Sequence, residues 1–247
     1  MGPGTDELWV CQLGTLEYRE GLALQERLRA ARQADEVPDV LLLLEHWPVY
    51  TRGRRSEPGE LPMGEQWYRD QGIDVVGTDR GGRVTYHGPG QLVGYPIMGI
   101  ADVGAYLRTM EAAIIAALAE EGITASLRER LTGVWVQERK IASIGVHVSR
   151  GVTTHGFAIN VSNDLQPFSW VVPCGLEGVQ MTSITQLTGD GGRLACFRKR
   201  VAFRFAAAFG RRQRLVSPRR LARDAPVAPG AREPLPGALP VMAGRAG

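Results

Sequence analysis

The chain has 247 residues, 44% hydrophobic and 22% charged, with 31 Gly, 15 Pro and 3 Cys. That supplies a core for one large domain or two small ones, while no window of about 18 apolar residues reads as a membrane span and no basic-then-apolar start reads as a secretory signal. Cysteines at 11, 174 and 196, with no CxxC and no Cys/His cluster, exclude a disulfide framework and a zinc site of familiar spacing; a reducing cytoplasm is the expected compartment.

In chain order, residues 8–13 read as a short strand and 15–33 as a helix with Leu24, Leu28 and Ala31 on one face. The continuous apolar run 40–45 (VLLLLE) suits a buried strand, and 52–65, with Gly, Pro and charge but no period, reads as a loop. Three strands are expected at 74–78, 83–87 and 91–97. A helix follows over 103–121, where Val103, Leu107, Met110, Ile114 and Leu118 recur at helical spacing and Gly122 supplies the stop. Further strands are expected at 133–137, 140–144, 145–148 and 154–161, the middle two forming one strand. A last helix over 193–209 precedes a Pro, Ala, Gly and Arg-rich tail from about Ser217, which lacks the apolar period needed to offset its ordering entropy and is expected to be disordered. Strands clustered in the middle, with helices between and after, predict an α+β fold, a mixed β-sheet flanked by helices. No GxGxxG follows the first strand, which disfavours a dinucleotide-binding fold.

The net charge of +3 hides an acidic body and a basic end: residues 1–192 carry 16 basic and 24 acidic side chains, residues 193–247 carry 13 and 2. Such an end can attract nucleic acid, an anionic membrane or an acidic protein, and is more often a solvated appendage. Of 29 basic residues only Lys140 and Lys199 are lysine. Arginine stays charged under ordinary conditions, whereas a lysine amine gives up its proton when buried or crowded by charge. A chain this partial to arginine keeps Lys140 as a candidate for proton exchange.

Three segments carry candidate chemistry. Arg80 to Gln91 (RGGRVTYHGPGQ) pairs two glycines, whose amides a ligand can approach closely, with His87 at a strand end before a second turn. A hairpin with a hydrogen-bonded histidine fits the same pattern. In Lys140 to Gly145 and Thr154 to Ala158, small residues leave room for a ligand against a sheet, or for close packing of two layers. If Lys140 starts a strand, Ala142 and Ile144 share its face and Ser143 points away. His155 fits a satisfied strand-end histidine better than a catalyst. Cys174, between Pro173 and Gly175, sits in a loop where its sulfur can be reached, while Cys11 and Cys196 look like small core residues. A free thiol with a pKa of ~8.5 is only about 3% thiolate at pH 7. An ammonium that lowers it by ~1.5 units makes about half of it reactive.

The segments RGGRVTYHGPGQLVGYPI (80–97), RKIASIGVHV (139–148), THGFAINV (154–161) and PCGLEGVQMTSI (173–184), with EHWPVYTRGR (45–54) more weakly, resemble the lipoyl(octanoyl) transferase family over about residues 8–210. The resemblance implies the fold of the biotin and lipoate protein ligase catalytic domain, here over residues 1–214, with 215–247 as the tail. It implies transfer of an octanoyl group from octanoyl-acyl carrier protein to a lysine of lipoyl domains in 2-oxoacid dehydrogenase complexes and the glycine cleavage H protein, with no cofactor, metal, nucleic acid or membrane. Cys174 matches the residue that carries the acyl group as a thioester and Lys140 the lysine that lowers its pKa. The acyl pocket maps onto Arg80, Gly81, Gly82, Arg83, Val84, Thr85, Tyr86 and His87, onto Ser143, Ile144 and Gly145, and onto Gly156, Phe157 and Ala158. Arg52, Arg54, Arg55, Arg80 and Arg83 are expected to form a basic rim for acidic partners. The alternatives are an ATP-dependent lipoate protein ligase of the same fold, against which Cys174 argues, an inactive acyl-binding protein, against which the Cys174 and Lys140 pair argues, and a cysteine hydrolase.

Overall fold

The computed structural model describes residues 6–129, 131–172, 179–191 and 194–224. Its centre is strand β2, Asp39–His46. The run Val40 to Leu44 is buried throughout, and its alternate residues serve two cores: Leu41 and Leu43 pack on one side of the sheet, Val40, Leu42 and Leu44 on the other. Strand alternation with both faces covered explains why the sequence shows no polar side there.

Among the described residues, eight strands build the main sheet in the order β11 (Arg212–Leu215), β1 (Glu7–Leu16), β2, β6 (Gln91–Ile97), β10 (Val152–Asn160), β9 (Arg139–Ser149), β8 (Leu131–Val136) and β7 (Ser126–Arg128). β1 runs parallel to β2 and to β11, and the remaining pairs are antiparallel, so the sheet is mixed as expected. Helices α3 (Val103–Ala119) and α5 (Leu194–Ala208), with the short α4 (Ile184–Thr188), contribute to the core on one face. Helix α1 (Tyr18–Gln33), the β1-to-β2 crossover, contributes to the other. The Asp102 side chain accepts from Ala105 N and caps α3, and Gly122, at φ 76°, follows its end as the sequence predicts.

A second sheet, β4 (Asp74–Gly77), β3 (Val49–Arg52) and β5 (Thr85–His87), stands beside the first over its own core of Tyr50, Tyr68 and Tyr86. Strand β3 and helix α2 (Glu65–Asp70) bracket the segment expected to be a loop; both are too short for their periods to show.

Two expectations are corrected. The chain stays ordered past Ser217, forming α6 (Pro218–Asp224), whose Leu221 is buried in the same core as α1. One apolar anchor in an arginine-rich stretch gives no period to read. The rest of the tail lies outside the described residues. Cys196 is exposed rather than part of the core: on α5 the buried line is Phe197, Val201 and Phe205, and Cys196 sits about 100° round the helix from it. Cys11 is fully buried, and burial pushes its thiol up to about 11.

Candidate active site

The segment between β4 and β5 crosses from the small sheet onto the large one. Gly81 N donates to Val146 O at 3.0 Å, and a Cβ on Gly145 would stand 2.8 Å from Gly81 O. Only a strand residue without a side chain lets the turn lie this close. The turn, β9 and β10 thereby wall a cleft. Its walls include Arg80, Gly81, Gly82, Arg83, Val84, Thr85 and His87, then Ser143, Ile144 and Gly145 of β9, then Gly156, Phe157 and Ala158 of β10, together with Lys140. Tyr86 alone of the expected pocket residues turns away. It alternates with Thr85 and His87 along β5 and packs its ring on Tyr50 and Phe168.

The sequence missed Tyr18 and Tyr95, which also line the cleft, and His46 behind them. The His87 ring stacks on Tyr18 at 6.0 Å and meets the edge of His46 at 5.9 Å. His46 Nδ1 donates to Leu16 O at 2.9 Å, so its Nε2 is left to accept from the Tyr95 hydroxyl at 2.7 Å. Gln91 Nε2 donates to Tyr86 O and to Asn160 Oδ1, so Gln91 Oε1 accepts from His87 Nδ1 at 2.7 Å. Burial first, and the neighbouring His46 second, push the His87 pKa down to about 3; burial pushes His46 down to about 4. Both rings are neutral hydrogen-bonding groups at neutral pH.

Arg80 is buried and fixed by Thr51: Nη2 donates to Thr51 O at 2.6 Å and to its hydroxyl at 2.7 Å. It braces the turn from inside the cleft wall. His155 lines the cleft at a left-handed φ of 58°. Gln25 Oε1 accepts from its backbone N–H at 2.6 Å, and its Nε2 meets Asp79 Oδ1 at 2.7 Å, the same carboxylate that His147 reaches at 3.4 Å. Burial leads in lowering the His155 pKa. Burial raises that of Asp79, but the hydrogen bond and charge of His155 outweigh it, and the carboxyl stays lowered. The expected satisfied strand-end histidine is therefore corrected: His155 lies inside β10, and its buried Nδ1 has no hydrogen-bond partner among the described residues.

Lys140 is buried at the start of β9. Val134 pairs with Ala142 but Trp135 pairs with Lys140, so β9 carries one extra residue there. That bulge breaks the alternation, which is why Lys140 and Ser143 line the same cleft instead of pointing apart. The Lys140 backbone N donates to Gln180 O at 2.8 Å, and its carbonyl accepts from Thr182 N at 3.0 Å. Asn160 continues the connection, donating to Thr182 O at 3.0 Å and accepting from Gln91. Cys174 lies outside the described residues. The last residue described before it, Val172, donates its N–H to Glu60 O at 3.0 Å, and Glu60 is buried with its carboxylate on Arg83 at 2.9 Å and on Val84 N at 3.2 Å.

Ion pairs reduce the expected basic rim. Arg52 is paired with Glu65 at 2.6 Å, and Arg83 with Glu57 and Glu60. Arg54 and Arg55 are exposed and form no ion pair among the described residues. Their backbone N–H groups donate to Arg80 O and Gly82 O, which fixes them beside the cleft turn.

Known proteins resemble the chain in sequence and in fold. Residues 17–206 match the family model of the lipoyl protein ligase A/B catalytic domain. An octanoyltransferase of Solibacter usitatus is 54% identical over 169 residues, 67% of this chain and 77% of that protein. One of Geobacter sulfurreducens is 45% identical over 201 residues, 80% of this chain and 83% of that protein. Among solved structures, lipoate-protein ligase A bound with ATP superposes with a TM-score of 0.72 at 18% identity, over 88% of this chain and 93% of that one. At that identity the likeness concerns the fold alone.

Proposed function

The chain belongs to the octanoyltransferase family, built on the lipoyl protein ligase A/B catalytic domain, and is an acyltransferase; on that premise we propose that it moves an octanoyl group from octanoyl-acyl carrier protein to a lysine of a lipoyl domain through a thioester on Cys174. The acceptors are lipoyl domains of 2-oxoacid dehydrogenase complexes and the glycine cleavage H protein, and the compartment is the cytoplasm.

The observation that carries this reading is the position of Lys140. Its side chain is on the wall of the cleft, and its main chain is bonded to Gln180 and Thr182, six and eight residues after Cys174. Six residues of chain reach at most about 22 Å, which bounds how far Cys174 can lie from Gln180.

The chemistry balances without ATP. Lys140 takes the Cys174 proton, and the thiolate attacks the carbonyl carbon of the carrier thioester. The tetrahedral adduct expels the carrier sulfur, which regains a proton from Lys140, leaving an octanoyl thioester on Cys174. The acceptor lysine then attacks as its free amine, the new C–N bond forms, Lys140 accepts the amine proton and Cys174 leaves as thiolate. Thioester exchange is close to isoenergetic and amide formation runs downhill. Backbone N–H groups of the 80–87 turn are suited to face the oxyanion. Phe157, Ala158 and Ile144 supply apolar wall for the chain, each buried methylene contributing ~0.8 kcal/mol.

The test is transfer to a lipoyl domain from octanoyl-carrier protein with no nucleotide present. Full transfer without ATP is expected. Transfer only from free octanoate, ATP and Mg2+ would instead identify a ligase.

A further inference from the structure

We propose that Gly133 and Trp135 of β8 form a socket that fixes the Lys140 amine, and that both are positioning residues for the acyl transfer. The inference rests on the reading of Lys140 as the proton partner of Cys174. The two socket residues are two apart on one strand and so share a face. Gly133 has a φ of 126°, and a Cβ built there would stand 2.6 Å from Lys140 Cε and 3.2 Å from Nζ. The end of the lysine, together with the Ala142 carbonyl oxygen 2.6 Å from that Cβ, therefore occupies the volume that any side chain at 133 would need. From there Nζ reaches the face of the Trp135 ring, 5.5 Å from its centroid, where the quadrupole favours an ammonium. The backbone is held in this shape from the helix behind it: Gly133 N donates to Oε1 of the fully buried Glu111 at 2.9 Å, and Arg108 pairs with the other oxygen at 2.8 Å. The extra residue of β9 falls opposite the same point, between Lys140 and Ala142. Helix, glycine, indole and bulge thus converge on one amine.

The chain's two lysines make the test direct, because protein labelled with 13C at lysine Cε gives one signal for Lys140 and one for Lys199. Gly133→Ala is expected to move the Lys140 signal and its titration while leaving Lys199 in place. It should also raise the pH midpoint of Cys174 alkylation by about one unit, about tenfold less thiolate at pH 7. In a Lys140→Ala background the same change should add nothing to that midpoint. An unmoved Lys140 signal, or an equal Cys174 shift with and without Lys140, would overturn the socket. A Lys140 signal that moves while the Cys174 midpoint stays would uphold the socket and remove Lys140 from its role toward the thiol. If Gly133→Ala does not fold, Trp135→Leu replaces it: a lowered Lys140 titration midpoint is expected, and an unchanged one contradicts the proposal.

Discussion

Lys140 stood out in the sequence because the chain uses only two lysines, and the fold gives it a buried place on the cleft wall. Its neighbours were less visible. Tyr18, His46 and Tyr95 meet His87 across strands and a helix far apart in the chain, and no local period announces such a cluster. The cluster has a consequence for stability. His46 and His87 have folded pKa values of about 4 and about 3, below the unfolded value of ~6.5. Between those limits the unfolded chain binds protons that the folded chain does not, so stability is full above pH ~6.5 and is lost as pH falls toward 4 and 3. At full loss the two shifts correspond to about 3 kcal/mol for His46 and about 5 kcal/mol for His87. Thermal unfolding measured from pH 7 to pH 4 should show a falling midpoint, and His46→Gln should flatten the slope. An identical slope in that variant would place the pH dependence elsewhere.

The longer elements were legible, α3 by its helical period, β2 as an unbroken apolar run and β6 between its flanking turns. Three short strands were not: β7 has three residues, β3 and β11 four each, and β3 and β11 pair with strands remote in sequence. The end of the chain is the instructive case. β11 pairs with β1, and Leu221 of α6 is buried beside it, so the basic segment is part of the fold before it is anything else. Truncation after residue 224 should leave the melting temperature unchanged, whereas truncation after 214 should lower it. Leu221→Ala should cost about 2–4 kcal/mol, a drop of several degrees by calorimetry for a chain of this size. Equal melting temperatures for the two truncations would make α6 dispensable.

For the whole molecule, the sequence motifs located the cleft because one turn-rich segment and two adjacent strands carry nearly all of it. It could not show which arginines remain available, since ion pairs such as Arg83 with Glu57 join residues 26 positions apart. Arg54 and Arg55 remain as the proposed docking charges for an acidic donor. Arg54→Glu with Arg55→Glu should lower kcat/KM for octanoyl-carrier protein about tenfold at low salt, with the deficit shrinking as salt rises, while an uncharged octanoyl thioester reacts as before. An equal loss with both donors would rule out docking as the cause.

The most direct measurement is the intact mass of the enzyme after incubation with octanoyl-carrier protein and no acceptor. A gain of one octanoyl group is expected, absent in Cys174→Ser and formed more slowly in Lys140→Ala. The exposed Cys196 makes the serine variant necessary. An adduct that survives Cys174→Ser, or lipoyl-domain transfer at an undiminished rate in that variant, would contradict the thioester relay.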